Sequence, residues 1–320
     1  MARGLSPAEP TSASPGRRER LAAAAADWLL ARLEGMPEER ALALGASFGR
    51  GWARLGGPRT QTARANLRIA FPEWSEAERE AVRVRALENL GRSLVEFARI
   101  AAIGPEGLRE RVRFEGLEHY EAARRASPRG GVIALTGHFG SWELLVAAGV
   151  AHGLPVVPVH RARDSALLEA VLQRYREAGG GELLPRGSSA SSVLRALRHG
   201  RTVAVAYDLD CPRKEGVFVP FFGRLACTRD GPVRIAMHAG VPVVPVFLHR
   251  LPDGRRHLAR VRPPLELRTE AEDPEGAVRE NARRMTAAIE AEIRLVPDHW
   301  NWVHRRWRTQ PPGEPRPPGY

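Results

Sequence analysis

The chain has 320 residues, enough for one large α/β domain or for a domain with a substantial helical extension, and its 43% hydrophobic content excludes a disordered chain. Its 49 basic and 37 acidic residues leave a net charge of +12, carried almost wholly by arginine, with Lys214 the only lysine. Arginine grips phosphates and carboxylates bidentately, so this balance fits a nucleic acid, anionic lipid headgroups or an acidic carrier protein. Two cysteines, Cys211 and Cys227, argue against a disulfide framework or a zinc site.

In chain order, residues 1–18 read as a polar, disordered leader lacking the apolar core of a signal peptide. Leu21–Leu33 is an alanine-rich helix carrying Trp28. It is expected to pack on the domain, with an amphipathic membrane-surface anchor as the alternative. Residues 19–127 read as helical throughout, with breaks near Gly35-Met-Pro37, Gly56-Gly-Pro58, Phe71-Pro72 and Ile103-Gly-Pro105 and a capped helix start at Ser75. Within this region Gly45-Ala-Ser-Phe-Gly49 matches the G-x-S-x-G elbow of serine hydrolases. No strand precedes it, so Ser47 is read as structural. No segment is long and apolar enough to span a bilayer; Ile235–Leu248 is too short and too rich in proline and glycine.

From 128 to 308 the texture changes to an α/β core. Candidate strands are Val132–Leu135, Val156–Val159, Glu182–Leu184, Val203–Tyr207, Val217–Val219, Val243–Leu248 and Leu258–Val261. Helices are expected over Ser141–Val150, Ser165–Ala178, Ala190–His199, Gly231–Ala239 and Glu275–Leu295. Short apolar strands alternating with amphipathic helices predict a mostly parallel central sheet covered on both faces. Residues 309–320 are proline-rich and read as a disordered tail.

Ligands of such sheets sit beyond the carboxyl ends of the strands, and His138, His160-Arg161 and Asp208 each follow a strand. In Gly137-His-Phe-Gly-Ser-Trp-Glu143 the histidine and glutamate are five residues apart. On a continuous helix that spacing separates them by about 140°, so they pair only if His138 stands in the turn before the helix, which Gly137 and Gly140 permit. The candidate pair is then His138 as general base and Glu143 as its orienting carboxylate. Asp208-Leu-Asp210 is a weak match to the D-x-D of metal-dependent glycosyltransferases, and no histidine spacing makes a metal site.

The chain resembles the lipid A biosynthesis lauroyl/myristoyl acyltransferases, which share the glycerolipid acyltransferase fold. Five blocks carry the resemblance in order: Asn66-Leu-Arg-Ile-Ala-Phe-Pro72, Gly137–Glu143, His160-Arg161, Val203–Asp208 with Val217–Gly223 and Ala226–Gly231, and Pro297–Arg308. After Arg161 the sequence departs from the family pattern at Ala162-Arg163-Asp164-Ser165. The resemblance implies transfer of a fatty acyl chain from an acyl carrier protein thioester to a hydroxyl of a lipid A precursor-type glycolipid. It implies direct attack by the acceptor, with no serine or cysteine nucleophile and no metal or cofactor. It also implies peripheral contact with the cytoplasmic face of the bacterial inner membrane and no nucleic-acid partner. Acylation of a phosphatidylinositol mannoside from acyl-CoA is the alternative.

Backbone N–H groups near Gly140 and the guanidinium of Arg161 are candidate oxyanion donors, with acceptor phosphate binding as the other reading of Arg161. Asp208 either orients Arg161 or an acceptor hydroxyl, or caps the following turn. Thr228 and Arg229, with Gly231, form a candidate anion-holding helix start. Phe218, Phe221 and Phe222 line an acyl channel or pack in the core. Trp300, Trp302, Arg305, Arg306 and Trp307 suit a membrane interface, a phosphate-bearing acceptor or simple packing.

Overall fold

The computed structural model describes residues 16–159, 165–180, 184, 190–269 and 272–320. Four helices open the chain: α1 (Arg17–Glu34), α2 (Glu38–Leu55), α3 (Pro58–Ala70) and α4 (Glu76–Arg111). The ends of α1, α2 and α3 fall at the predicted breaks Gly35-Met-Pro37, Gly56-Gly-Pro58 and Phe71-Pro72, whereas the predicted break Ile103-Gly-Pro105 lies within α4. At Ser75 the hydroxyl and the Glu78 carboxylate cap each other's backbone N–H, and at Gly104 α4 kinks through a positive φ of 67°. The motif Gly45-x-x-x-Gly49 is a helix-crossing surface. A Cβ on Gly49 would lie 2.2 Å from the Leu87 carbonyl oxygen of α4, and one on Gly91 would lie 2.0 Å from that of Gly45. Ser47 accepts a hydrogen bond from Arg50 within α2 at 2.8 Å.

The α/β core follows as β1 (Val112–Glu115), α5 (Leu117–Ala126), β2 (Val132–Thr136), α6 (Trp142–Ala151), β3 (Val156–Pro158), α7 (Ala166–Glu177), α8 (Ala190–Arg198) and β4 (Thr202–Ala206). It continues through β5 (Gly216–Phe221), β6 (Arg224–Arg229), α9 (Gly231–Ala239), β7 (Val243–Arg250), β8 (His257–Val261) and α10 (Pro274–Leu295). The central sheet runs β1-β8-β7-β2-β4-β3, parallel at every pairing except β7–β8. Successive strand residues face opposite layers. Ile133, Val203 and Val243 join a core with α3, α9 and α10, while Val132, Val244 and Leu248 join one with α1, α4 and α6.

Three expectations are corrected. The region 19–127 is not wholly helical, because β1 lies in it; a four-residue strand is too short to show a period of two. The candidate strand Val217–Val219 belongs to a separate antiparallel hairpin, β5–β6, closed at Phe222-Gly223 where both φ angles are positive. The tail after 309 is anchored at both ends, though residues 312–316 are exposed: Tyr320 donates its hydroxyl to Asn66 Oδ1, and Gln310 is buried with its amide on the Trp307 carbonyl at 2.7 Å. The candidate strand Glu182–Leu184 lies, apart from Leu184, outside the described residues.

Candidate active site

The site follows from strand register. β2 and β4 are adjacent and parallel, with Thr136 opposite Ala206, so two residues further His138 comes level with Asp208. Asp208 Oδ1 bonds His138 Nδ1 at 2.8 Å, and Oδ2 accepts the His138 backbone N–H at 2.8 Å. The Trp300 indole N–H donates to the same Oδ2 at 2.8 Å. Asp208 is buried, and the His138 side chain keeps 22% of its surface exposed. Burial alone would raise the Asp208 carboxyl, but the His138 charge and the N–H donors outweigh it and hold it below the usual carboxylate range. An ionised Asp208 places the proton on Nδ1 and makes Nε2 the basic nitrogen.

The closing segment cradles the histidine loop from beneath. Gly140 N–H donates to the His299 carbonyl at 2.8 Å, Asn301 N–H to the His138 carbonyl at 3.0 Å, and Ser93 Oγ to the Gly140 carbonyl at 3.1 Å. Gly140 has φ 57°, and a Cβ there would lie 2.0 Å from the Leu248 carbonyl oxygen, so only glycine fits. Asn66 holds this segment to α3 by donating to the Trp302 and His304 carbonyls at 2.6 and 2.7 Å. His304 is pushed down to about 4, chiefly by burial, so at neutral pH it is uncharged and its Nε2 accepts the Asp210 N–H at 3.0 Å.

Several predicted site residues have other partners. Glu143 does not hold His138: its carboxylate is gripped by Arg176, with the closest bond 2.8 Å, because α6 points its first turn toward α7 while the strand register brings Asp208 to Nδ1. The Gly140 N–H is consumed by His299, which removes it as an oxyanion donor. Thr228 is buried, donating to the Ala226 carbonyl and accepting from Arg306, and Arg229 pairs with Glu215; neither forms an anion-holding helix start. Asp210 accepts from the Thr309 hydroxyl at 2.9 Å and N–H at 3.1 Å, so the carboxylates of Asp208 and Asp210 serve separate partners. Among the described residues no three His, Cys, Asp or Glu side chains gather to hold a metal ion. Arg161 lies outside the described residues. Phe221, Phe222, Trp300, Trp302, Arg306 and Trp307 are all buried in packing.

Nothing in the sequence marks Trp300 as the second donor to Asp208. Nor does the sequence mark a cavity of about 310 Å³ between α2, α4, α6 and α7. Phe48, Trp52, Leu90, Leu94 and Trp142 line it, with Ser141, Glu143 and Arg176 on its polar side. Trp142 also packs edge-on against the His138 ring, with centroids 5.0 Å apart.

An oriented histidine at the carboxyl rim of a parallel sheet, beside an apolar cavity, is an arrangement that α/β enzymes use. Residues 20–309 match the bacterial lipid A biosynthesis acyltransferase family. The chain is 29% identical over 274 residues to the lipid A biosynthesis myristoyltransferase of Escherichia coli K12, covering 85% of this chain and 82% of that protein. It is 29% identical over 290 residues to the lauroyltransferase of the same organism, covering 90% of each, and 30% identical over 260 residues to its palmitoleoyltransferase, covering 80% and 81%. The chain therefore belongs to the bacterial lipid A biosynthesis acyltransferases, and it is an acyltransferase.

Proposed function

We propose that this enzyme moves a fatty acyl chain from an acyl carrier protein thioester to a hydroxyl of a lipid A precursor-type glycolipid, with His138 as general base. The observation that carries this reading is the Trp300–Asp208–His138 chain beside the apolar cavity. Nε2 of His138 takes the acceptor proton as the hydroxyl oxygen attacks the thioester carbonyl, and Asp208 stabilises the imidazolium. Collapse of the tetrahedral intermediate breaks the C–S bond, and His138 returns the proton to the departing thiolate. The product is an ester and a free thiol. An acidic carrier suits the net charge of +12, and the cavity suits the apolar chain. Incubating wild-type protein with acyl carrier protein and CoA thioesters plus a total lipid extract, followed by mass spectrometry, tests the pairing. The expected product is an acylated glycolipid formed from the carrier-protein donor; preferential use of the CoA donor or acylation of another lipid class would overturn the assignment.

The same reading has the enzyme act peripherally at the cytoplasmic face of the inner membrane. No described helix is long and apolar enough to cross a bilayer. α1 packs through Ala23, Leu30 and Leu33 yet leaves Trp28 67% exposed, and α2 leaves Phe48 64% and Leu55 90% exposed. Phe48 also lines the cavity, so the exposed side of α2 borders it. Trp28→Glu with Leu55→Glu is expected to weaken binding to phosphatidylglycerol-containing vesicles about tenfold or more in flotation, since each large side chain contributes roughly 1.5–3 kcal/mol when fully buried. Undiminished flotation by the double variant would remove this face from membrane contact.

A further inference from the structure

We infer that the amino end of α6, with the Ser141 hydroxyl, receives the carbonyl oxygen of the acyl thioester. This rests on the acyl-transfer reading above. Ser141 occupies the N-cap position of α6 but makes no side-chain cap bond, and its hydroxyl has no hydrogen-bond partner although the residue is only 1% exposed. A buried hydroxyl without a partner is uncommon in a native fold and calls for a ligand or a chemical function. Ser141, Trp142 and Glu143 all line the 310 Å³ cavity. Among the described residues the N–H groups of Trp142, Glu143 and Leu144 have no acceptor, and the first backbone bond of this turn runs from Leu145 N–H to the Ser141 carbonyl at 3.0 Å.

Free N–H groups at a helix start carry partial positive charge and favour an oxygen that is becoming negative. Glu143 lies in this turn and would oppose that charge, but Arg176 neutralises it at 2.8 Å. An acyl tail lying in the apolar part of the cavity thus has its carbonyl end at the α6 amino terminus, in the same turn as His138, whose ring packs on Trp142. As the acceptor oxygen bonds to the carbonyl carbon, the C=O π electrons move to this oxygen, and the Ser141 O–H and the backbone N–H groups stabilise it. They return when the C–S bond breaks. Ser141 is then a catalytic donor, whereas Gly140 is not.

Ser141→Ala is the test, with Ser141→Thr as the conservative variant and dodecanoate as a non-reacting probe. The expected result is a fall in kcat of about 10²-fold with little change in KM, pH profile or melting temperature, and partial recovery by Ser141→Thr. Dodecanoate, whose carboxylate stands in for the carbonyl oxygen, should bind Ser141→Ala about tenfold more weakly than wild type. A kcat within twofold of wild type, a loss that follows a lowered melting temperature, or equal dodecanoate affinity would overturn the assignment. The probe needs no turnover, so weaker binding by Ser141→Ala upholds the site even if wild type and His138→Ala consume thioester alike, which would refute only the acyl-transfer reading.

Discussion

Asp208→Asn is expected to lower kcat by about 10²–10⁴-fold while leaving the fold intact. An asparagine can still accept the His138 backbone N–H and the Trp300 indole N–H on its carbonyl oxygen, both 2.8 Å bonds in the native site. Its amide nitrogen, however, would face Nδ1, now 2.8 Å from Oδ1. Two donors cannot share that line, so the imidazole would move its proton to Nε2 and lose its basic nitrogen toward the acceptor. The missing carboxylate would also leave the imidazolium unsupported in the transition state. Because the Asp208 carboxyl is held below the usual range, its contribution to stability is complete above the unfolded carboxyl value of about 3.9 and is lost as pH falls through the depressed folded value. The wild-type rate near neutral pH therefore does not report Asp208 losing its charge. Steady-state kinetics with a melting temperature for each variant checks this: a kcat within threefold of wild type would detach Asp208 from the chemistry.

Arg250→Ala is expected to destabilise the protein by about 3–5 kcal/mol, the usual cost of stranding one partner of a buried ion pair. Arg250 on β7 and Glu96 on α4 are both buried and joined bidentately, one of the two bonds at 2.8 Å. His257 on β8 reaches the same carboxylate at 2.8 Å. Removing the guanidinium leaves the buried Glu96 with His257 as its one hydrogen-bonded side-chain partner among the described residues. The effect reaches the site, because the Arg250 backbone N–H donates to His299 Nε2 at 2.9 Å and its guanidinium touches Ser93, which holds the Gly140 carbonyl. Burial would raise the Glu96 carboxyl, but the charges of Arg250 and His257 outweigh it and hold it below its ordinary value. A depressed carboxyl stabilises above its unfolded value of about 4.3 and ceases to as pH falls through the folded value. Denaturant unfolding should accordingly show a smaller acid-dependent loss in Arg250→Ala than in wild type. A cost below 1 kcal/mol would mean that the pair is not buried in solution.

Much of this architecture is legible in the sequence because its signals are local. Glycine and proline punctuation marks the ends of α1, α2 and α3 and the kink in α4, and apolar strand runs reveal β2, β4 and β7. The position of His138 in a glycine-flanked turn is equally local, since Gly140 is forced by its positive φ and by the Leu248 carbonyl. The identity of its partner is not. Glu143 is five residues away in sequence, whereas Asp208 is seventy away and becomes a neighbour only through the pairing of β2 with β4 rather than β3. Strand order is a long-range property that periodicity does not encode. Trp300 was hidden for the same reason, and its indole reads equally as packing or as a donor until Asp208 is beside it. The anchored tail shows the converse: a proline-rich composition suggests disorder, yet Tyr320 has a specific acceptor in Asn66.

The most direct measurement is the single-turnover rate of acyl transfer at saturating thioester donor for wild type and His138→Ala, with the ester product quantified. A general base oriented by Asp208 predicts a drop of about 10²–10⁴-fold in His138→Ala with donor affinity retained. Equal rates in the two proteins would contradict it.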